Sequence, residues 1–209
     1  TMTVIQWGKD GIEMKFEKSA KYDVQFVREN MMGPNALKLA EELTATLDLR
    51  PGMRVLDLGC GQGLTSIFLA KEYGVRVFAT DLWIAATEND RRFLAWGLED
   101  LIIPLHAEAN DLPFADAYFD AAICIDAYHY FGREKGYMDG KLAPLVKQGG
   151  RIALAFPGFK EDYHGRLPEE ILRSWSEEDM ETIQDTQWWA NLLGRAEKIR
   201  VDDIREMEG

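Results

Sequence analysis

Val55-Leu56-Asp57-Leu58-Gly59-Cys60-Gly61-Gln62-Gly63 decides the architecture of this chain. Strand-favouring residues around one carboxylate break into a run in which every second residue is glycine. Glycines let the backbone turn sharply and approach a ligand that a β-carbon would exclude, and Leu64, Ile67 and Phe68 then recur at helical spacing. The stretch therefore predicts strand, tight turn and helix, with the turn facing a ligand. A dinucleotide fingerprint would place its third glycine at position 64, which is Leu64; here that glycine is Gly63, giving G-x-G-x-G. Taken alone, the segment also fits an ordinary strand-to-helix turn carrying three glycines.

Outward from that turn, residues 75–80 (VRVFAT) read as a second buried strand ending at Asp81, roughly 20 residues beyond the glycines. A carboxylate there can accept hydrogen bonds from both hydroxyls of a ribose. A third strand ends near His106, and His106-Ala107-Glu108-Ala109-Asn110-Asp111-Leu112-Pro113-Phe114 follows it. Residues 119–126 give a fourth strand that ends in Asp126, and residues 149–156 a fifth after a glycine turn.

With these segments in place, the chain resembles the class I S-adenosylmethionine-dependent methyltransferases over about residues 33–157. The resemblance implies an α/β fold of that Rossmann-like type: a doubly wound, mostly parallel sheet with helices on both faces. It implies S-adenosylmethionine as cofactor and S-adenosylhomocysteine as product. It also assigns a cofactor set of Asp57, Gly59, Cys60, Gly61, Gly63, Asp81, Leu82, Trp83, Glu108, Ala109 and Asp126. Residues 106–114 are similar to the family's G-D-A-x-x-L-P-F segment, whose acid takes the adenine amino group; Ala107 and Glu108 stand here for its glycine and aspartate. Either Leu82 or Trp83 is placed to cover the adenine face.

At 209 residues and 46% hydrophobic content the chain can bury one good-sized core, and no low-complexity stretch divides it. A single domain is expected, with residues 1–32 as an N-terminal lid or cap, 33–157 as the cofactor-binding core and 158–209 as a substrate-side segment. The net charge of −12 argues against a nucleic-acid partner, because phosphate binding needs clustered Lys and Arg, and Arg91-Arg92 is the only adjacent basic pair. No apolar run approaches the roughly 18 residues of a membrane span, and the N-terminus lacks signal-peptide character. Two cysteines, Cys60 and Cys124, fall in or beside predicted strands as small apolar packing groups, which suggests a reducing, cytoplasmic setting. With three separated histidines they offer no metal spacing, so no metal is expected.

Elsewhere the pattern is weaker. Residues 1–14 read as loop or extended chain and 18–31 as a weak helix. Pro34 suits a first helical position before Ala36, Leu39, Ala40, Leu43 and Leu47. Residues 157–175, with Lys160, Tyr163 and His164, are expected to cross the open end of the sheet. Ser176-Glu177-Glu178-Asp179 reads as a capping box opening a helix that ends near Gly194, with one of Trp188 and Trp189 facing the core. Residues 196–204 look like a sixth strand. The family closes with a seventh, antiparallel strand, for which no sequence remains.

Methyl transfer from a sulfonium depends on placing an attacking lone pair in line with the methyl group, so a conspicuous catalytic triad is not required. Where the acceptor carries a proton, a nearby base helps, and in the family the end of the fourth strand faces substrate. The candidates are Asp126, Tyr128, His129 and Tyr130, in the run Asp126-Ala127-Tyr128-His129-Tyr130, with His129 as the base and Tyr128 beside it; a histidine that only hydrogen-bonds in a loop is the competing interpretation. The activity expected is methyl transfer to a small-molecule acceptor. A cofactor-binding module without catalysis, an activating subunit and a cyclopropane-fatty-acid-synthase-like lipid enzyme are the alternatives, with an NAD enzyme weakened by Leu64.

Overall fold

The structure is a computed structural model that describes residues 2–4, 16–160, 173, 176 and 180–207. The apolar runs around the glycine turn form β2 (Arg54–Leu58), β3 (Arg76–Asp81), β4 (Ile102–His106), β5 (Phe119–Ile125) and β6 (Val146–Ala155). With β1 (Met2–Val4) and β7 (Val201–Asp203) they make a seven-stranded sheet in the order β4-β3-β2-β5-β6-β1-β7, parallel in every pairing. Parallel neighbours need crossover connections, which cover both faces with helices.

The alternation of side chains along the strands divides the core in two. Val55, Ala121 and Ile123 pack with Leu43, Ile67 and Phe68 of α2 (Ala36–Thr44) and α3 (Leu64–Tyr73). Leu56, Leu58, Ala122 and Cys124 face the other way, against Trp189 and Leu193. The chain runs β2, β3, β4 toward one edge and then returns to place β5 on the other side of β2. That reversal opens a crevice beyond the carboxyl ends of β2 and β5.

Several expectations are corrected. The weak helix at 18–31 is a single turn at Ser19–Lys21 followed by α1 (Val24–Asn30), because the Asp23 side chain caps the Phe26 amide at 2.8 Å and starts the helix there. Helix α2 begins at Ala36 with Asn35 capping Lys38, so Pro34 precedes it. The N-terminal stretch, expected as loop or extended chain, includes β1, which lies between β6 and β7 and runs parallel to both. It occupies the sheet position beside the last strand, and β7 is confined to Val201–Asp203. The helix expected to run from Ser176 to near Gly194 is not continuous: Met180 is helical and its amide donates to the Ser176 carbonyl at 3.2 Å, but a separate helix, α6 (Thr186–Leu193), starts afresh with Asp185 capping the Trp188 amide at 2.9 Å. Residues 183–184 are not helical: the Phe159 amide donates to the Gln184 carbonyl at 3.1 Å and draws that stretch into an extended contact.

Candidate active site

A cavity of about 350 Å³ opens in the crevice at the carboxyl ends of β2 to β5. Its floor is the glycine turn that follows β2. The Asp81 carboxylate organises that turn: Oδ2 accepts from the Gly61 amide at 2.8 Å, while Oδ1 accepts from the Trp83 and Ile84 amides at 2.8 and 2.9 Å. From the other side, Asn89 of α4 (Ala86–Ala95) donates to the Gly61 carbonyl at 2.9 Å, and Arg92 braces Gln62 and Asn89. The floor is thus held rigid by bonds made within the protein.

This geometry changes the role expected of Asp81. A carboxylate offers about four acceptor positions, and three are already filled by backbone amides. Room remains for a further donor such as a ribose hydroxyl.

The glycines divide. Gly61 lines the cavity with φ +53, and a β-carbon there would lie 3.0 Å from Met32 Sδ. Gly63 does not line it; at φ +81 it lets Phe93 approach, and a β-carbon would sit 2.5 Å from that ring. Gly63 therefore serves helix packing and leaves the expected cofactor set. Asp57 leaves it as well, as a residue of the buried layer beneath the turn. Its Oδ2 accepts from Ser66 Oγ at 2.6 Å, its Oδ1 has no partner, and burial pushes its pKa up to about 7.

Gly59, Cys60, Leu82, Trp83, Glu108, Ala109 and Asp126 all line the cavity. Trp83 is 67% exposed and meets Tyr130 edge to face at 5.4 Å, and the Ala109 carbonyl is fixed by Tyr137 Oη at 3.0 Å. Asp126 ends β5 with its backbone in the left-handed region at φ +58, and burial pushes its carboxyl up to about 6.

His129 and Tyr128 lie outside the cavity wall. Tyr128 is fully buried against Phe156 and Trp189, and its hydroxyl has no partner. His129 is also buried; burial together with the Arg133 charge pushes its pKa down to about 4, and its Nδ1 is unpartnered. Tyr130, a candidate from the sequence, lines the cavity instead, together with Phe131 and Glu134, which sequence reasoning did not select. They lie on and just after α5 (Tyr128–Phe131), which follows directly on the carboxyl end of β5, and no periodic pattern in the sequence marks them.

His106 braces the Leu82 carbonyl at 2.8 Å, and Trp189 packs in the core with Trp188 across it, outside the cavity. Lys160 is exposed, while Tyr163 and His164 lie outside the described residues. Among the described residues, no group of three or more His, Cys, Asp or Glu side chains is arranged to hold a metal, and no helix is long and apolar enough to cross a membrane.

Comparison with known proteins gives this geometry a family. A family model described as a methyltransferase domain matches residues 55–150. The chain is 32% identical over 119 residues to 27-O-demethylrifamycin SV methyltransferase of Amycolatopsis mediterranei, covering 56% of this chain and 43% of that protein. It is 37% identical over 103 residues to demethylmenaquinone methyltransferase of Clavibacter sepedonicus, covering 49% and 40% respectively. The chain thus spans less than half the length of these relatives. In fold it is similar to geranyl diphosphate C-methyltransferase from Streptomyces coelicolor A3(2), with a TM-score of 0.63 at 17% identity over 83% of this chain and 63% of the other. The glycine turn at the switch point, the acid closing β3 and these matches together make residues 55–150 similar to the methyltransferase domain of the class I S-adenosylmethionine-dependent family.

Proposed function

We propose that the protein transfers a methyl group from S-adenosylmethionine to a small-molecule acceptor in this cavity. The observation that carries the proposal is the pre-formed floor: a glycine turn with no β-carbon at Gly61, clamped by Asp81 and Asn89 and open to a crevice at the topological switch point. Such a floor offers backbone groups to a ligand at close range, and its order is established before the ligand arrives. Gly59, Cys60 and Gly61 are assigned to the cofactor's amino-acid and sugar portion. The remaining acceptor position of Asp81 goes to a ribose hydroxyl, Glu108 and the backbone at Ala109 to the adenine edge, and Leu82 and Trp83 to its face. Once bound, the cofactor supplies an activated methyl group on a positively charged sulfur. The protein's part is to exclude water and to align the acceptor, a contribution that can account for much of the rate.

The segment through Met31, Met32, Gly33 and Pro34 forms the outer wall, which supports a capping role for the chain before residue 33. The net charge of −12 supports a small molecule over nucleic acid as acceptor, and two buried free cysteines support a reducing, cytoplasmic location. Calorimetric titration with S-adenosylhomocysteine and with NAD tests the cofactor: the first is expected to bind and the second to fail. Equal or reversed affinities would defeat the proposal. Binding without methyl transfer to any member of a broad metabolite panel would favour a non-catalytic binding module.

A further inference from the structure

The charges around the cavity are one-sided. Among the described residues its wall carries Asp81, Glu108, Asp126 and Glu134, and no Lys, Arg or His lines it. Arg92, behind the floor, is engaged with Gln62 and Asn89. Asp81 is occupied by backbone amides, and Glu108 belongs to the proposed adenine end. Asp126, which the resemblance gave to the cofactor and which the proposed cofactor placement leaves without a contact, remains with Glu134, on the side of the cavity built by Tyr130 and Phe131.

Asp126 is the more unusual of the two. It takes a left-handed backbone conformation that few non-glycine residues adopt, although Asp and Asn tolerate it best. Its carboxylate makes no hydrogen bond or ion pair among the described residues, and Gly33 comes so close that a β-carbon there would lie 2.0 Å from Oδ2. A half-buried carboxylate without a partner is costly unless a ligand supplies the opposite charge.

Resting on the methyltransferase reading of the cavity, we infer that the acceptor is an amine, received as its ammonium ion by the carboxylates of Asp126 and Glu134 beside the rings of Tyr130 and Phe131. Aromatic faces and carboxylates attract an ammonium for the same electrostatic reason, and both repel an anionic acceptor. An ammonium has no lone pair with which to attack. Asp126 therefore also acts as the base. An N–H bond breaks, its electron pair stays on nitrogen, and the proton moves to an Asp126 carboxylate oxygen. Burial supports this step by raising the affinity of that carboxylate for a proton.

Three probes with one skeleton test the inference on protein saturated with S-adenosylhomocysteine: benzylamine, benzyl alcohol and benzoate, each titrated calorimetrically. Benzylamine is expected to bind at least tenfold more tightly than benzyl alcohol, with benzoate weakest. Asp126→Asn keeps the backbone conformation and removes the charge; it should reduce the amine preference at least fivefold while S-adenosylhomocysteine affinity stays within twofold. Glu134→Gln, at an exposed position where misfolding is not a concern, should reduce the same preference at least twofold. The inference is overturned by equal affinities, by failure of all three probes to bind, by tighter binding of benzoate, or by variants that leave the preference unchanged. Loss of S-adenosylhomocysteine affinity in Asp126→Asn would assign that carboxylate to the cofactor and overturn it too. Failure of the parent protein to bind S-adenosylhomocysteine is a separate result, which removes the methyltransferase reading and this inference together.

Discussion

Asp57 and Gly63 belong to the same nine-residue stretch as Gly61, yet neither reaches the cavity, and each has a measurable consequence of its own. Burial holds the Asp57 carboxyl at about 7 against an ordinary value of 3.8. Below about pH 4 both folded and unfolded states hold this proton; between pH 4 and 7 the unfolded state releases it first, so stability falls as pH rises through that window. A difference of that size corresponds to about 4 kcal/mol. Asp57→Asn should therefore gain on the parent by a few kcal/mol between pH 4 and 7 and show no further gain above that, as measured by denaturant melts across the range; parallel curves would refute the assignment. Gly63→Ala combines left-handed strain of about 1–2 kcal/mol with overpacking against Phe93 of about 1–3 kcal/mol. It should lower stability by roughly 2–4 kcal/mol, whereas Gly61→Val, whose new side chain enters the cavity, should leave a folded protein that no longer binds S-adenosylhomocysteine. The sequence marks all three glycines alike because the turn needs them all; which one faces the ligand depends on Phe93, some 30 positions away. The same blindness misplaced the candidate base. Neighbouring residues on a helix point about 100° apart, so a shift of one or two positions from Tyr130 to His129 or Tyr128 exchanges cavity wall for core.

At the scale of elements, the β3-to-α4 turn and the β2-to-α3 turn are joined by one side chain. Asp81→Ala removes the acceptor for three amides, so it should destabilise the fold by a few kcal/mol, at the roughly 1–3 kcal/mol of an unsatisfied buried group, and weaken S-adenosylhomocysteine binding at least tenfold. Asp81→Asn, with its amide oxygen toward Trp83 and Ile84, presents a donor to the Gly61 N–H and loses only that bond. It should retain more stability than Asp81→Ala while losing comparable affinity; melts and calorimetry on the pair separate the two effects. β2, β3 and β5 were legible because each is an apolar run closed by glycine or acid, the pattern of a sheet buried on both faces. The peripheral elements were not. β1 is three residues long and is defined by the free edge of β6 that it pairs with, not by any pattern of its own. The start of α6 was not legible because the pattern from Ser176 reads as one helix; the contact of Phe159 with the stretch before Asp185 interrupts it after Met180 and sets a second start at Asp185.

Over the whole molecule, the N-terminal segment is held to α2 and α3 before it returns as the cavity's outer wall: Tyr22 and Val27 pack in the core, and a buried carboxylate takes the backbone ahead of them. Glu41, on α2, accepts from the Lys18 amide at 2.8 Å and the Ser19 amide at 2.7 Å. Burial works to raise the pKa of this carboxyl, but the backbone donors from Ser19 and Lys18 outweigh it and hold the group below the ordinary carboxylate range. A depressed folded-state value means that the contribution is complete above the unfolded value and is lost as pH falls through the folded one. The sheet does not depend on this contact, since α2 packs on β5 and β6 through Leu37, Ala40 and Leu43. Glu41→Ala should therefore loosen the segment without disturbing the sheet, against the remaining hold of Tyr22 and Val27 in the core. The cost expected is about 1–3 kcal/mol for the stranded amides, with amide exchange accelerated across residues 16–32 and unchanged in β2, β3 and β5. If the segment is the cap of the active site, S-adenosylhomocysteine should bind several-fold more weakly to this variant, because Met31 and Met32 no longer hold their place over Gly61. Accelerated exchange with unaltered affinity would show instead that the outer wall is held by its own contacts at Met31 to Pro34, and that the fastening at Glu41 serves stability alone.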